Sequence, residues 1–538
     1  MDVSTKCSVT VLFLALLIAP PGVLARTFHL APPPLGDDAN PGSKALPWAS
    51  FQKAASVLIA GDTVLVRGGV YAITSAIAAR RFATSNAWIT YEGWPGEQVI
   101  IDATNLYNSP AAFDIQNSAY TRLVNIGVGF SHDAAFRVYG ANTHHIEIID
   151  CSTYNTYGPG IRVQYANNVR LIGNEIVGAN IMAMAPPGAT ASEPPHEAIS
   201  VSSVDTFEIA FNRLHHNGKE AIDAKGTDRH GRIHHNAAWS NARQGLYVDA
   251  WHGLLEDVVF HHNVSWSNEW GFGISVEGAD SAIRNLRFHH NLLYRNRASG
   301  VFFSIWGTNG PRNDLAIYNN TICKNGRSGH WAGPVGGIDM KSTNEVDVAI
   351  VNNLCAGNYA FELATFDDPS SNGLDRLAAQ RISLDGNLSG WFRTNTYGSS
   401  PYGRVYALLG DNSVTGDPLV VNYSGDVYYL TSNSPAIDAG VNQPQYNDPD
   451  GSRSDIGALW YGAQDVPPDP LRITLPQPGV IRLEQHTVPG KTYQLMRSED
   501  LQTWSPVGPA VQGDWAYIRT YATETNAARA FYRYEVRQ

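Results

Sequence analysis

Short alternations of apolar and polar residues recur along the middle of the chain, and six of them resemble one another. They read AFNRLHHN, GRIHHNAAWSN, VVFHHNVSWSN, LRFHHNLLYRN, LAIYNNTICKN and VAIVNNLCAGN. Alternating Val, Ile, Leu and Phe over such short runs are typical of β-strands, and no helix-length amphipathic pattern fits between them. A loosely spaced repeat of this length predicts stacked coils with loop insertions, which is a parallel β-helix.

Two sets of asparagine mark the repeat, and successive members of each set lie 24, 27, 28, 29 and 33 residues apart. Asp150 and Asn155 fit one step, 24 residues, before Asn174. Asparagine tolerates left-handed φ at bends, and its amide can bond the same amide one coil above. We expect two Asn ladders and a stacked column three residues after the first Asn. The first ladder is Asn212, Asn236, Asn263, Asn291, Asn320 and Asn353; the second is Asn217, Asn241, Asn268, Asn296, Asn325 and Asn358; the column is His215, Trp239, Trp266, Tyr294 and Cys323.

These coils resemble the right-handed parallel β-helix proteins of the pectate-lyase-like superfamily, over roughly residues 36–460. Residues 36–71 resemble the opening of many secreted β-helices. The segments SPAIDAG and DPDGSRSDIGALWYG resemble their closing segment. The resemblance implies an all-β fold, but lyases, hydrolases and binding proteins share this scaffold.

The two ends of the chain carry different signals. Residues 1–25 read as a secretory signal, since Lys6 precedes an apolar run that is too short to span a membrane. We expect an exported, soluble protein whose β-helix covers residues 26–462.

The segment Pro47–Ile59 predicts a helix that caps the open end of the first coil. Residues 463–470 form a linker, and the alternating patches in 471–538 predict a small β-sandwich-like domain.

Composition narrows the possible partners. The chain has 49 acidic and 38 basic residues, which argues against nucleic acid as a partner. A long β-helix needs no second chain to bury its core, so we expect a monomer. Cys323 and Cys355 lie in adjacent coils, but one residue out of step, so a disulfide and buried thiols both stay open.

The coils HEAISVS, KEAIDAK and QGLYVDA carry the candidate chemistry. Aligned on the small residue that begins each strand, their outward side chains fall into columns on one surface. Adjacent coils lie about 4.8 Å apart, so these groups should meet within the reach of one sugar. The Pro-rich loop 182–195 should wall this surface. The columns are Glu197–Glu220–Gln244, Ser200–Asp223–Tyr247 and Ser202–Lys225–Asp249.

The next coil, NEWGFGISVEG, has two possible registers. Aligned on Gly271, Ser275 lies beside Asp249, whereas a shift of two residues places Glu277 there. Both keep Glu277 on the same face, at about 5 Å from Asp249 if directly opposite or about 7–8 Å if diagonal.

The resemblance implies one reaction, a calcium-assisted polysaccharide lyase that acts on a uronic-acid polymer. In such lyases a metal neutralises the sugar carboxylate, a base removes the C5 proton and an acid protonates the leaving oxygen. Lys225 is the candidate base, and Tyr247 or Arg243 is the candidate acid. The motif KEAIDAK resembles the acidic calcium-binding coil of some of these lyases. The candidate ligands of Ca²⁺ are Glu197, Glu220 and Asp223.

A glycoside hydrolase is the alternative, with Asp249 and Glu277 as paired carboxylates. Carboxyl groups about 5 Å apart suit retention of configuration, and a gap of about 6.5–9.5 Å suits inversion. Trp251 and Trp306 offer faces for sugar stacking, and His252 adds local positive charge. A non-catalytic glycan-binding β-helix is a second alternative. Neither the polymer nor the choice between endo and exo cleavage can be read from the residues.

Two further motifs invite a metal interpretation. His234-His235, His261-His262 and His289-His290 recur with the repeat, which favours structural stacking over zinc. The Asp residues of segment 448–455 do not have the spacing of an EF-hand loop, so we expect turn residues there.

Overall fold

The computed structural model describes residues 25–327, 333–367, 372–390, 397–400, 403–463, 472–477, 480–488, 491–513, 517–523 and 530–537. Within them the chain winds through three sheets, and successive coils add one strand to each sheet. Each sheet has thirteen strands, and parallel neighbours come from consecutive coils. The predicted parallel β-helix is confirmed.

The strands of each sheet follow in chain order. Sheet A comprises Thr27–Leu30, Thr63–Val66, Ile89–Gly93, Ala119–Val124, His144–Ile149, Asn167–Ile172, Asp205–Ala210, Arg229–His234, Leu254–His261, Ala282–His289, Arg312–Tyr318, Glu345–Val351 and Ile382–Asp385. Sheet B comprises Gly69–Ala72, Val99–Asp102, Gly127–Gly129, Ser152–Tyr154, Glu175–Val177, Arg213–His215, Ala237–Trp239, Val264–Trp266, Leu292–Tyr294, Thr321–Cys323, Leu354–Ala356, Leu388–Ser389 and Val414–Thr415. Sheet C comprises Ile77–Ala79, Ala111–Gln116, Ala134–Tyr139, Ile161–Gln164, Ile199–Ser202, Ile222–Lys225, Leu246–Ala250, Phe272–Val276, Val301–Phe303, Ile338–Met340, Leu363–Phe366, Tyr397–Ser400 and Gly403–Ala407.

The core lies inside the coils, where apolar side chains from the three sheets meet. Phe272 of sheet C stacks on Phe288 of sheet A with ring centroids 4.0 Å apart. Parallel sheets are stable when such a face is fully covered. All predicted inward residues of the candidate coils are buried: Ile199, Val201, Ile222, Ala224, Leu246 and Val248.

Both Asn ladders form as predicted. Asn263 Nδ2 donates to Asn291 Oδ1 at 3.0 Å, and Asn291 Nδ2 donates to Asn320 Oδ1 at 3.1 Å. The first ladder also runs further than predicted, from Asn174 to Asn387. Because each amide bonds both the next amide and backbone, the ladders satisfy buried polar groups at the bends.

The placement of Asp150 and Asn155 in the ladders is wrong by one residue. Cys151, and not Asp150, faces Asn174, whose Oδ1 accepts from the Cys151 backbone N–H at 3.0 Å. Asp150 and Asn155 occupy the preceding positions, where φ is 53°. That left-handed position is the one that Asn and Asp tolerate, so sequence type alone pointed to the wrong neighbour.

The aromatic column and the histidine pairs stack as predicted. The column runs through Trp239 and Trp266, whose rings lie 4.8 Å apart. The rings of His234 and His261 lie 4.7 Å apart, and those of His261 and His289 lie 5.3 Å apart. Burial and the neighbouring imidazoles lower the pKa of His261 to about 3, which fits neutral stacked rings.

The ends of the β-helix differ from the prediction in detail. The capping helix spans only Phe51–Val57, with Ser50 as its N-cap, and it buries Phe51 against the first coils. A strand that the sequence did not predict, Thr27–Leu30, pairs with Thr63–Val66 ahead of this helix. Signal residues up to 24 and linker residues 464–470 lie outside the described residues.

The C-terminal residues form antiparallel sheets, as predicted for a small β domain. A further helix, Gly373–Ala379, and two 3₁₀ turns, Met182–Met184 and Pro444–Tyr446, complete the elements of the coils. In the described part of the chain, no helix is long and apolar enough to cross a membrane. The hairpin is Val420–Asn422 with Val427–Leu430, and the C-terminal strands are Arg472–Gln477, Val480–His486, Thr492–Ser498, Ser505–Pro506, Val511–Gln512, Tyr517–Thr523 and Phe531–Arg537.

Two open questions from the sequence are answered in the described residues. Cys151, Cys323 and Cys355 are buried free thiols, and the one-residue offset between the last two is confirmed by the pairing of Cys323 with Ala356. Asp448 and Asp455 act as turn residues. Asp448 accepts from the backbone N–H of Asp455, and Asp455 accepts from that of Asp438.

Candidate active site

Sheet C builds the predicted outward columns in the predicted register. Asp223 pairs with Tyr247, and Lys225 pairs with Asp249 on the next coil. The register of the following coil is the one aligned on Gly271, because Asp249 pairs with Ser275. The shift of two residues is therefore excluded.

All eleven predicted site residues line one cavity of about 830 Å³ on the outer face of sheet C. We call it the acidic cavity. The loop 182–195 reaches it as predicted, through Glu193, whose carboxylate accepts from Arg243 Nη2 at 2.5 Å. The predicted residues in its lining are Glu197, Glu220, Asp223, Lys225, Arg243, Tyr247, Asp249, Trp251, His252, Glu277 and Trp306.

Lys225 is a largely buried cation in the lining of the acidic cavity. Its side chain is 15% exposed, and its ammonium bonds Glu197 Oε2 and lies 3.4 Å from Asp223 Oδ2. Burial alone would lower the pKa of Lys225, but Glu197 and Asp223 outweigh it and raise this pKa above its usual range. Burial alone would raise the pKa of the Glu197 carboxyl group, but the charge of Lys225 outweighs burial and lowers this pKa to about 2. A lysine held this way keeps its proton at neutral pH, so it has no free lone pair with which to accept another.

Several buried oxygens in the acidic cavity have no hydrogen-bond partner among the described residues. They are Glu220 Oε2, Asp223 Oδ1, Gln244 Oε1 and Asp249 Oδ1. Burial, followed by the charge of Glu197, raises the pKa of both Glu220 and Asp223. Unpaired buried acceptors are costly, so these atoms are placed to receive donors or a cation from a bound partner.

The predicted calcium ligands Glu197, Glu220 and Asp223 supply hard oxygen atoms of the type that Ca²⁺ prefers. In the described residues, however, no group of three or more His, Cys, Asp or Glu side chains is arranged to hold a metal ion. The ammonium of Lys225 stands between two of the three. The cluster thus has the charge that attracts a cation without the converging oxygens of a calcium site, and calcium binding stays a prediction.

Glu277 is held as an acceptor by two hydroxyl groups. Tyr247 donates its O–H to Glu277 Oε1 at 2.5 Å, and Ser275 Oγ donates to the same oxygen at 3.0 Å. Burial and then the charges of Asp249 and Glu277 raise the pKa of Tyr247 well above its usual range. Tyr247 is therefore a protonated donor, and its hydrogen bond orients the carboxyl group of Glu277.

Asp249 is the proton-carrying member of the pair. Burial first, and the charge of Glu277 second, raise the pKa of Asp249 to about 8, although Lys225 opposes this shift. Two carboxyl groups that interact in this way resist ionising together, and the raised pKa of Asp249 keeps its proton in place at neutral pH. A protonated carboxyl group beside a second carboxyl group on the same face can perform acid–base work at neutral pH.

Aromatic side chains form the far wall of the acidic cavity. Trp251 is 46% exposed, and its ring lies 6.2 Å from the ring of His252. Trp306 packs edge-on against Trp270 at 5.1 Å. The sequence reasoning singled out Trp251, Trp306 and His252 but missed Trp270, which lies two residues before the strand Phe272–Val276.

The sequence reasoning also missed Arg312, which fixes the loop that carries Trp306. Arg312 is fully buried, and its guanidinium donates to the Ser304 carbonyl at 2.7 Å and to Asn309 Oδ1 at 2.9 Å. Gly307, at φ 60°, sits so close to Glu277 that a Cβ there would lie 2.3 Å from the Glu277 Cα. Arg312 thus positions both Trp306 and the backbone of Glu277. Nothing in the local sequence marked it, because a strand-initial Arg is usually exposed.

Comparisons with known proteins agree with this fold. Residues 31–181 match a family described as the Pel9A-like right-handed β-helix region, and residues 188–322 match the right-handed β-helix region. A stretch of 167 residues is 31% identical to pectate lyase PEL9 of Emericella nidulans, covering 28% of this chain and 39% of that protein. The chain thus spans about two fifths of the length of this relative.

Two solved structures share lower similarity. Pectate lyase Pel9A matches with a TM-score of 0.45 and 14% identity, over 82% of this chain and 98% of that one. A rhamnogalacturonan lyase matches with a TM-score of 0.43 and 16% identity, over 62% and 83%. No residue role is carried over from either. The two family matches and the three parallel sheets identify the chain as a right-handed parallel β-helix protein.

Proposed function

We propose that the protein is a carbohydrate-active enzyme that hydrolyses glycosidic bonds in the acidic cavity. The observation that carries this proposal is the carboxyl pair. Asp249 has its pKa raised to about 8, and beside it Glu277 is held by the hydroxyls of Tyr247 and Ser275. Glycoside hydrolysis needs one carboxylic acid and one carboxylate on opposite sides of the scissile bond.

Each carboxyl group has one step to perform. Protonated Asp249 gives its proton to the glycosidic oxygen, so that the leaving sugar departs as an alcohol. Glu277 acts on the anomeric carbon, either as the nucleophile or as the base that activates water. Tyr247 and Ser275 orient Glu277 by their hydrogen bonds. Lys225 keeps Glu197 ionised and opposes a still higher pKa of Asp249.

Calcium-assisted elimination from a uronic-acid polymer is the second candidate. It is supported by the similarity to a pectate lyase and by the buried acceptor oxygens of Glu220 and Asp223. In that reaction Glu197, Glu220 and Asp223 hold the ion, Lys225 is the base, and Tyr247 or Arg243 is the acid. The ion would supply charge neutralisation of the sugar carboxylate. The ion pairs that raise the pKa of Lys225 weigh against this role.

The test is an assay of the purified protein on a panel of neutral and uronic-acid polysaccharides, with calcium and with a chelator. Hydrolysis releases reducing ends without ultraviolet absorbance, and the chelator leaves the rate unchanged. Asp249→Asn and Glu277→Gln should each abolish the release, whereas Asp314→Asn, exposed and outside the cavity, should not. New absorbance that the chelator removes would establish elimination instead. Glycan binding without either product would leave only the non-catalytic alternative.

Export of the enzyme is part of the proposal, supported by the predicted signal in residues 1–25. Polysaccharides are found outside the cell, so an enzyme that acts on them has to leave it. Expression in a bacterial host with N-terminal sequencing of the extracellular or periplasmic product tests this. A product that keeps residues 1–25 and stays in the cytoplasm would contradict it.

A further inference from the structure

We propose that the sugar unit bound in the acidic cavity is uncharged and rich in hydroxyl groups, and is not a uronate. The inference rests on the proposed function, because it specifies the substrate of the same site. It follows from the charges that line the cavity, from the hydrogen-bonding character of its unpaired atoms, and from its aromatic wall.

The charge of the acidic cavity opposes an anionic sugar. Seven carboxyl side chains line it, against three from lysine and arginine. Each of those three cations already lies within 4 Å of a carboxylate oxygen. Lys225 is paired with Glu197, Arg243 with Glu193 and Glu220, and Lys219 lies 3.8 Å from Glu193. A sugar carboxylate entering this space would have to displace an ion pair and meet like charges.

The unpaired atoms require donors. Glu220 Oε2, Asp223 Oδ1 and Gln244 Oε1 are buried acceptors that line the cavity and have no partner among the described residues. A sugar hydroxyl can donate to each of them and can also accept from a carboxyl group whose raised pKa keeps it protonated, whereas an ionised carboxylate can only accept. A site built to bond hydroxyls discriminates strongly, because a ligand without them leaves these acceptors unpaired.

The aromatic wall suits the same ligand. Trp251 presents a half-exposed ring at the cavity, and Trp306 lies behind Tyr247 at 6.3 Å between ring centroids. An indole has an apolar face and an N–H group at its edge that can contact water. The C–H face of a neutral pyranose can lie against the apolar face. Acceptor oxygens that can bind hydroxyl groups and an indole that can lie against the ring face together suit a neutral sugar.

Neutral and anionic oligosaccharides, compared on the same protein, test the proposal. The catalytically silent Asp249→Asn protein is titrated calorimetrically with neutral oligosaccharides of xylan and galactan and with oligogalacturonate, each with calcium and with a chelator. We expect the best neutral ligand to bind at least about tenfold more tightly than the uronate, with or without calcium. In the same background, the additional change Glu220→Gln should weaken neutral binding about three- to tenfold, and the additional change Asp314→Asn should leave it unchanged.

The outcomes separate this inference from the proposed function. Tighter binding of the uronate, or no binding of any neutral ligand, overturns the inference. Hydrolysis of a uronate by the wild-type protein would overturn it while the hydrolytic function stood. Binding of neutral ligands by a protein whose wild type cleaves none of them would support the inference and overturn hydrolysis. Uronate binding only with calcium would mean that the ion fills the unpaired acceptors. If this binding is tighter than that of the neutral ligands, it overturns the inference.

Discussion

The substitution Asp249→Asn should abolish activity and at the same time stabilise the fold. Asp249 is buried, its Oδ1 has no hydrogen-bond partner among the described residues, and its pKa is raised to about 8 from an ordinary value of 3.8. Asparagine has nearly the same shape but no proton to give and no charge to bury. A catalytic acid kept protonated by its surroundings should therefore cost stability, and its removal should recover part of it.

The magnitude follows from the pKa. Between pH values of about 4 and 8 the folded protein holds a proton on Asp249 that the unfolded chain has released, so stability falls as the pH rises through this window. Each pKa unit corresponds to ~1.4 kcal/mol. At pH 7 the window extends over about three units, which gives an upper limit of roughly 4 kcal/mol for the penalty that Asp249→Asn removes.

The assay is urea unfolding of the wild type and of Asp249→Asn, followed by tryptophan fluorescence at pH 4.5 and pH 7.5. The gain in free energy of unfolding should be small at pH 4.5 and rise by roughly 1–4 kcal/mol at pH 7.5. Asp314→Asn, a change at an exposed carboxylate, is the matched control and should show no such dependence. If the gain is absent or independent of pH, Asp249 is not protonated in the folded protein, and its role as the acid is refuted.

Four further outcomes are expected. Tyr247→Phe removes a hydrogen bond that orients Glu277, so kcat/KM should fall roughly 10- to 100-fold with unchanged unfolding, and an unchanged kcat/KM would exclude that bond from catalysis. The kcat/KM of the wild type should fall as the pH rises through about 8, because the acid is then ionised, and a profile flat to pH 9 would contradict this. Lys225→Met leaves buried carboxylates without their cation and should cost about 3–5 kcal/mol in urea unfolding, whereas a loss below 1 kcal/mol would make the ion pair unimportant. Asn291→Ala should cost about 2–4 kcal/mol, since it leaves the buried backbone N–H of Asn263 unpaired, and an equal loss for exposed Asn412→Ala would remove the ladder as the reason.

Most of the fold could be predicted because the repeat determines it locally. An Asn that recurs every coil identifies one bend, and period-two alternation then fixes which side chains point inward. This is why the Ser200–Asp223–Tyr247 column could be written from the sequence and is confirmed by the strand pairing. The same reasoning placed Asp150 in the ladder wrongly. Asp150 occupies the left-handed position next to the ladder position, and Asp suits that position equally well.

The chemistry of the site was harder to predict because it depends on where side chains turn. The sequence placed Lys225 and Asp249 side by side, but not the bond from Lys225 to Glu197 on the coil before. That bond pairs the ammonium group of Lys225 with a carboxylate, so the lysine keeps its proton and is unsuited to act as the base. Glu277 follows the last paired residue of its strand. The alternation therefore predicted the face on which Glu277 lies, but not its hydrogen bond with Tyr247.

The preference for hydrolysis over elimination in the proposed function rests on these two side chains. From the sequence, the resemblance favoured elimination, because the acidic coil KEAIDAK looked like a calcium-binding segment. In the structure the cation of that coil is its own Lys225. The carboxyl pair that the sequence offered as the alternative has a protonated acid, Asp249, beside a second carboxyl group, Glu277, as the proposed hydrolysis needs.

Cleavage in heavy-oxygen water tests the central claim most directly. The substrate is whichever oligosaccharide, neutral or uronic, the protein cleaves in the panel, and mass spectrometry follows the new chain ends. Hydrolysis through Asp249 and Glu277 predicts one heavy oxygen atom in the fragment that carries the new anomeric centre, and no unsaturated product. An unsaturated fragment without heavy oxygen would show elimination, and the assignment of Asp249 and Glu277 would be contradicted.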